Sequence, residues 1–319
     1  MAVAIADLVA QAREGDHRSV ARLISMVENA SPQLREVMAE LAPYAGHAEI
    51  IGLTGSPGVG KSTTTTTLVA AYRAVERRVA VLAVDPSSPF SGGALLGDRI
   101  RMQEHATDDG VYIRSMGSRG HLGGLSWAAP QAIRVLDAAG CDVILVETVG
   151  VGQAEVEIAS LADTTVVLLA PGMGDAIQVA KAGILEIADI FVVNKADRDG
   201  ADSTARDLRQ MMSLGEKHGP NEWTPPILKA VASRNEGIEA IVEAIDRHHD
   251  WLVSSGGLDA RRRVRAADEI ESLALTSLRR RMGDLHDGSL LDELAGRVVA
   301  GTIDPYAAAD ELTAQIADR

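Results

Sequence analysis

The stretch Gly55-Ser56-Pro57-Gly58-Val59-Gly60-Lys61-Ser62-Thr63 limits what this chain can fold into more than any other segment does. It fits G-x-x-x-x-G-K-[ST], the pattern of a loop that cradles phosphates. An apolar run, Glu49 to Thr54, precedes it and reads as a buried strand, and Ser62 to Glu76 follows and reads as a helix. Gly55, Gly58 and Gly60 lack Cβ atoms, so the backbone can turn sharply there and approach an anion. Successive N–H groups then point inward at the positive end of a helix dipole. Lys61 brings a full charge to the β- and γ-phosphates, and the Ser62 hydroxyl can ligate Mg²⁺.

From 49 to about 250 the pattern alternates between strands and helices. Val79 to Val84, Gly110 to Arg114, Asp142 to Val146, Thr164 to Leu169, Ile190 to Val193 and Ile227 to Ala230 read as strands. Their Val, Ile and Leu runs are continuous, as in strands buried on both faces. Helical stretches between most of them imply a mostly parallel sheet in a three-layer α/β domain. Before this, Leu8, Val9 and Ala12, then Val20, Leu23, Ile24 and Val27, recur at helical spacing. Asp16 with Ser19 marks one helix start and Ser31-Pro32 another. After about 250, Ser254-Ser255-Gly256-Gly257 reads as a linker. Val264, Ile270, Leu273, Leu275 and Leu278 then suggest a long helix, Leu290 to Val299 a second, and Asp304-Pro305 opens a third. The expected organisation is a helical segment at 1–44, a nucleotide-binding domain at 45–252 and a helical region at 253–319. A tail this apolar needs something to pack against, its own domain or a second copy, and the pattern favours a homodimer.

Charge and composition exclude other roles. The 319 residues carry a net charge of −14, which disfavours general nucleic-acid binding. Two Phe, four Tyr and three Trp are too few for base-stacking platforms. The single Cys141 allows no intramolecular disulfide and suits a reducing cytoplasm, with inert burial expected. Met1 to Asp7 lacks a basic start, so no secretory signal is expected. Nor is a membrane span, since no apolar run approaches the ~18 residues one needs. Arg261-Arg262-Arg263-Arg265 and Arg279-Arg280-Arg281 read as a solvated helix face or a contact for an acidic partner.

Asn194-Lys195-Ala196-Asp197 follows a strand and matches N-K-x-D, which recognises guanine. The Asp197 carboxylate can accept from the guanine ring N–H and the exocyclic amine, whereas adenine offers an acceptor there and would leave it unpaired. Asn194 can tie the base site to the phosphate loop, and the Lys195 stem can cover the base face. Glu147-Thr148-Val149-Gly150 occupies the D-x-x-G position with glutamate in place of the usual aspartate. Glu147 at the strand tip can hold Mg²⁺ through water, and the Gly150 N–H can meet the γ-phosphate. Asp85 and Asp98 are candidates for Mg²⁺, for positioning the attacking water, or for capping a loop. Gly117 to Gly124 and Pro171 to Asp175 read as loops on the ligand-binding edge of the sheet. The threonine run 63–67 is assigned no separate role.

Together these residues resemble the methylmalonyl-CoA mutase-associated GTPases, the MeaB/ArgK family. The matching elements are Thr54 to Thr63, Val84-Asp-Pro-Ser-Ser-Pro89, Ser91-Gly-Gly-Ala-Leu-Leu-Gly-Asp-Arg99, Glu147-Thr-Val-Gly-Val-Gly-Gln153 and Asn194 to Asp197. The resemblance implies a cytoplasmic, homodimeric GTPase that uses GTP/GDP and Mg²⁺ and attends an adenosylcobalamin-dependent acyl-CoA mutase. It would gate cofactor loading and protect or reactivate that mutase. By the same resemblance Asp85, Asp98 and Glu147 surround Mg²⁺ and the water. Ala230-Val231-Ala232 forms the guanine-side loop, and Ala170 to Lys181 is an additional switch facing the mutase. Gln153 stands beyond Gly150 rather than next to it, so slow hydrolysis is expected without the mutase. Two rivals remain. A metal-insertion GTPase needs thiol or imidazole clusters, of which one cysteine and eight scattered histidines give no sign. An ATP-driven kinase or transport ATPase is opposed by Asn194 to Asp197.

Overall fold

The computed structural model describes residues 4–86, 105, 107–118, 128–148, 157–172, 184–214, 219, 222–282 and 289–317. Asp98, Gly150, Gln153 and most of the loop segments 117–124 and 170–181 lie outside these residues, as does the side chain of Asp85.

Seven strands form one sheet: β1 (Glu49–Thr54), β2 (Val79–Pro86), β3 (Val111–Ser118), β4 (Val143–Thr148), β5 (Thr164–Leu169), β6 (Ile190–Val193) and β7 (Ile227–Lys229). Their order is β3-β2-β4-β1-β5-β6-β7, and every pairing is parallel. Both faces are covered, which is why the strands read as unbroken apolar runs. On one face, Ala80, Leu82, Ile144 and Val146 share a core with α1 (Ile5–Arg13), α2 (His17–Glu28), α3 (Leu34–Leu41) and α5 (Ala129–Ala138). On the other, Leu53, Val81, Leu145 and Leu168 pack with α4 (Lys61–Ala74) and α8 (Ile238–Ser255). A smaller cluster joins β5 and β6 to α7 (Ala201–Leu214), which follows the short α6 (Ile184–Ile187). The result is the expected three-layer α/β fold with helical extensions.

Two strands outrun their apolar segments. β2 and β3 stay paired from Val79 opposite Val111 to Pro86 opposite Ser118. Reading β3 as ending at Arg114, with a loop from Gly117, is corrected by this ladder. An edge strand tolerates polar residues because one side of it faces no partner strand. The linker read at Ser254–Gly257 is also corrected. Gly256 alone separates α8 from α9 (Gly257–Met282), at φ 72, with its N–H donating to Val253 O at 3.2 Å. Glycine takes that left-handed turn without a Cβ clash.

Below the sheet, at the strand N-termini, Asp189 gathers several donors. The Arg261 guanidinium meets both carboxylate oxygens, Nη2 to Oδ1 at 2.8 Å and Nη1 to Oδ2 at 2.9 Å. Thr165 N–H donates to Oδ2 at 2.8 Å, and His248 Nε2 lies 3.2 Å from Oδ1. Burial pushes this carboxyl up, but His248 and Arg261 outweigh it and hold it below its ordinary range. Arg261 is therefore no member of a solvated basic face. Nearby, Glu49 is buried with Arg77 at 3.3 Å, and burial raises its carboxyl despite His249 and Arg77. Cys141 is buried as expected, and burial pushes its thiol up to about 12.

The chain divides into two compact units, Met1–Arg261 and Arg262–Arg319. The second holds the rest of α9 with α10 (Ser289–Val299) and α11 (Pro305–Ala317). Asp304 caps α11, accepting from the N–H groups of Tyr306 and Ala307. Arg297 of α10 grips Glu311 of α11 with two hydrogen bonds, at 2.6 and 3.0 Å. Leu294 and Ala308 are buried, while Val264, Ile270, Leu273, Leu275 and Leu278 of α9 are exposed.

Candidate nucleotide-binding site

The phosphate loop, Glu147, Asn194 and Ala230 all follow or close the C-terminal ends of parallel strands, so the topology brings them to one edge of the sheet. β1 lies between β4 and β5, with Leu53 level with Glu147. Leaving β1, the chain turns at Gly55 with φ 137, where a Cβ would stand 2.2 Å from Leu168 O of β5. Gly58 and Gly60 have φ 83 and 100. A Cβ on Gly60 would meet Asn194 Nδ2 at 2.3 Å. Gly55 and Gly60 are thus required by close packing as well as by conformation.

Helix α4 starts at Lys61, one residue earlier than the sequence suggests, and its bonding ladder begins with Thr64 N–H to Gly60 O at 2.9 Å. A helix's first turn leaves N–H groups without intrahelical partners, and these face the loop. Lys61 is buried with its ammonium on the loop carbonyls, donating to Gly55 O at 2.6 Å and Ser56 O at 3.2 Å. The Ser62 hydroxyl donates to Glu147 Oε1 at 2.6 Å, and Thr65 Oγ1 lies 2.9 Å from Glu147 Oε2. Thr63 is exposed.

The N-K-x-D segment is joined to this cradle. Asn194, 2% exposed, donates from Nδ2 to Val59 O at 2.9 Å and accepts at Oδ1 from Ala232 N–H at 3.1 Å. One amide therefore links the phosphate loop to the segment after β7, where Ala230, Val231 and Ala232 are buried. Lys195 adopts φ 55 and donates from Nζ to Gly58 O at 2.6 Å. Asp197 is exposed, with Oδ2 3.6 Å from the Arg234 guanidinium.

The structure thus brings together the phosphate loop, Glu147, Asn194, Lys195 and the 230–232 segment. The backbone of Asp85 lies near the C-terminal end of β2, level with Gly117 of β3, and Asp98 and Gly150 fall outside the described residues. Two residues were missed. Arg234 gave no signal, since its partner is set by the fold. Thr65 could have been found, because it lies one helical turn after Ser62 on the same face. Within the threonine run, to which no separate role was assigned, Thr65 contacts Glu147. Among the described residues no three His, Cys, Asp or Glu side chains converge as a metal cluster. The hydroxyl of Ser62 and the carboxylate of Glu147 are hard oxygen donors of the kind Mg²⁺ takes alongside phosphates.

A glycine cradle at a strand-to-helix junction, tied by a buried asparagine to an N-K-x-D loop on the same sheet edge, defines a P-loop GTPase. Residues 20–285 match the family described as Methylmalonyl Co-A mutase-associated GTPase MeaB, and the chain belongs to that family. It is 47% identical over 313 residues to a Pyrococcus abyssi protein named as a GTPase, covering 98% of this chain and 97% of the relative. It is 36% identical over 275 residues to GTPase ArgK of Escherichia coli, covering 84% and 82%. Against the Mus musculus protein named methylmalonic aciduria type A homolog, mitochondrial, identity is 38% over 216 residues, covering 67% of this chain and 52% of that protein. A solved structure described as an LAO/AO transport system kinase shares the fold, with a TM-score of 0.74 at 24% identity over 99% of both chains. The chain is accordingly an enzyme that binds guanine nucleotide and hydrolyses GTP.

Proposed function

We propose that this GTPase attends an adenosylcobalamin-dependent acyl-CoA mutase, methylmalonyl-CoA mutase in the first instance, gating cofactor loading and protecting or reactivating the mutase. The observation that carries the reading is the match over residues 20–285 to a family described as associated with that mutase.

In this reading the amides of Gly55 to Thr63 and the Lys61 ammonium hold the phosphates, and water attacks the γ-phosphate in line. Lys61 must leave the carbonyls of Gly55 and Ser56 to reach the nucleotide, so it exchanges one set of oxygens for another. Ser62 and Glu147 would hold Mg²⁺, with Asp85 and Asp98 as further ligands or as the groups that orient the water. When bound, Mg²⁺ would neutralise charge shared by the β- and γ-phosphates. The Gly150 N–H would meet the γ-phosphate. Asp197 would read guanine, Lys195 would cover its face, and the 230–232 backbone would line its far side. Making and losing γ-phosphate contacts would set the loops that the mutase reads.

We also take the chain to be a cytoplasmic homodimer joined through 253–319. The exposed Val264, Ile270, Leu273, Leu275 and Leu278 of α9 support an interface there. No helix among the described residues is long and apolar enough to cross a membrane.

The test is GTP turnover by the purified chain with and without the mutase. Faster hydrolysis in the mutase's presence is expected, because no glutamine follows Gly150 directly to position the water. Equal rates would remove the mutase from the scheme while leaving the GTPase intact.

A further inference from the structure

Glu147 poses a problem of control. Glutamate has one more methylene, and one more free torsion, than the aspartate usual at this strand tip, so its carboxylate needs more to fix it. The structure supplies two hydroxyls. Ser62 holds Oε1 at 2.6 Å and Thr65 lies 2.9 Å from Oε2, both from the first turns of α4. Residues three apart on a helix share a face, and that face is turned to the tip of β4. Glu147 is 4% exposed and Thr65 fully buried, so water does not compete for this contact.

The neighbouring threonines behave differently. Thr64, Thr66 and Thr67 hydroxyls donate to carbonyls of Gly60, Ser62 and Thr64, at 3.0, 2.9 and 2.9 Å. Thr65 Oγ1 is also 3.0 Å from Lys61 O, but it has a single proton. The Glu147 contact is the shorter of the two, 2.9 against 3.0 Å, and a carboxylate is a stronger acceptor than a carbonyl. Branching at Cβ restricts the Thr65 rotamer, so the hydroxyl is aimed before any ligand arrives.

We infer that Thr65 is the positioning residue of the Mg²⁺ site, which rests on the reading that Ser62 and Glu147 hold the metal. Its hydroxyl fastens Oε2 and thereby keeps Oε1 on Ser62. A partner that orients a metal-holding group is worth roughly 10- to 100-fold in metal affinity.

The experiment measures fluorescent GDP affinity of the full chain across a Mg²⁺ titration and in EDTA, for wild type, Thr65→Val and Thr65→Ser. Valine keeps the shape and removes the donor. Thr65→Val is expected to raise the Mg²⁺ concentration for half-maximal effect about 10- to 100-fold, with affinity in EDTA unchanged. Thr65→Ser, which keeps the donor but not the branched Cβ, should fall closer to wild type than Thr65→Val does. An unshifted Thr65→Val curve overturns the inference, as does an equal loss of affinity with and without Mg²⁺, which would mark a purely structural hydroxyl. If Thr65→Val does not fold, Thr65→Ala is read by the same two outcomes. A wild-type affinity indifferent to Mg²⁺ would bring down the metal assignment itself.

Discussion

Replacing Asp197 and Asn194 by alanine, one at a time, separates base recognition from the mechanical integrity of the site. The Asp197 side chain is 41% exposed, and the Arg234 guanidinium is 3.6 Å away. An exposed pair of that kind contributes about 0–1 kcal/mol, so Asp197→Ala leaves thermal stability nearly unchanged. Guanine loses more. Two hydrogen bonds to a carboxylate, at about 1.5–3 kcal/mol each, amount to about 3–6 kcal/mol. GTP affinity should therefore fall roughly 10²- to 10⁴-fold, and the preference over ATP should collapse. Asn194→Ala has the opposite balance. It strips Val59 O and Ala232 N–H of a partner that is 2% exposed. At about 1–3 kcal/mol for each unpaired buried group, the loss is about 2–6 kcal/mol of stability before nucleotide is added. Competition binding with GTP and ATP, run beside thermal unfolding of the ligand-free protein, reads both quantities. A wild-type GTP-to-ATP ratio in Asp197→Ala would refute the reasoning. So would equal unfolding shifts in the two variants.

Asp189→Ala should cost about 2–4 kcal/mol at neutral pH, less than a fully buried pair because Arg261 is 39% exposed. The Asp189 carboxyl is held below its ordinary 3.8, so its contribution is present above that pH and fades as acid protonates it. Denaturant unfolding of the variant and wild type should converge in acid. Glu49 runs the other way: its carboxyl is raised above 4.5, so ionising it costs stability once the pH rises past that value. Glu49→Gln should raise the melting temperature at neutral pH and give no advantage below 4.5; a loss at neutral pH would contradict the burial argument. Ile270→Glu, on the exposed face of α9, should turn a dimer into monomers in sedimentation velocity while GDP affinity holds; an unchanged sedimentation coefficient counts against that face.

What the sequence revealed and what it hid follow one rule. Gly55 to Thr63 and Asn194 to Asp197 are legible because each packs several chemical demands into a short stretch after an apolar strand. β5 and β6 were read to the residue, since both faces of these strands are buried and the apolar run ends where the pairing ends. β3 was cut short because Ser115, Gly117 and Ser118 break the apolar run around the buried Met116, and the ladder to β2 carries the strand past them. Pairings between distant residues could not be read at all. Arg261 was grouped with its basic neighbours, although Asp189 claims it, and Arg234 reaches Asp197 only after β6 and β7 align.

The shared core of α1, α2 and α3 with the sheet has a bearing on how the chain is born. Leu23, Ile24 and Val27 leave the ribosome well before Ile144 and Val146, which cluster with them. In the interval a greasy surface has no cover, the condition under which nascent chains stick to one another. Shortening the protein from its front would reverse the hazard, baring the flank of the sheet for good. Affinity handles at the amino end should therefore be added ahead of Ile5 and not substituted for these helices.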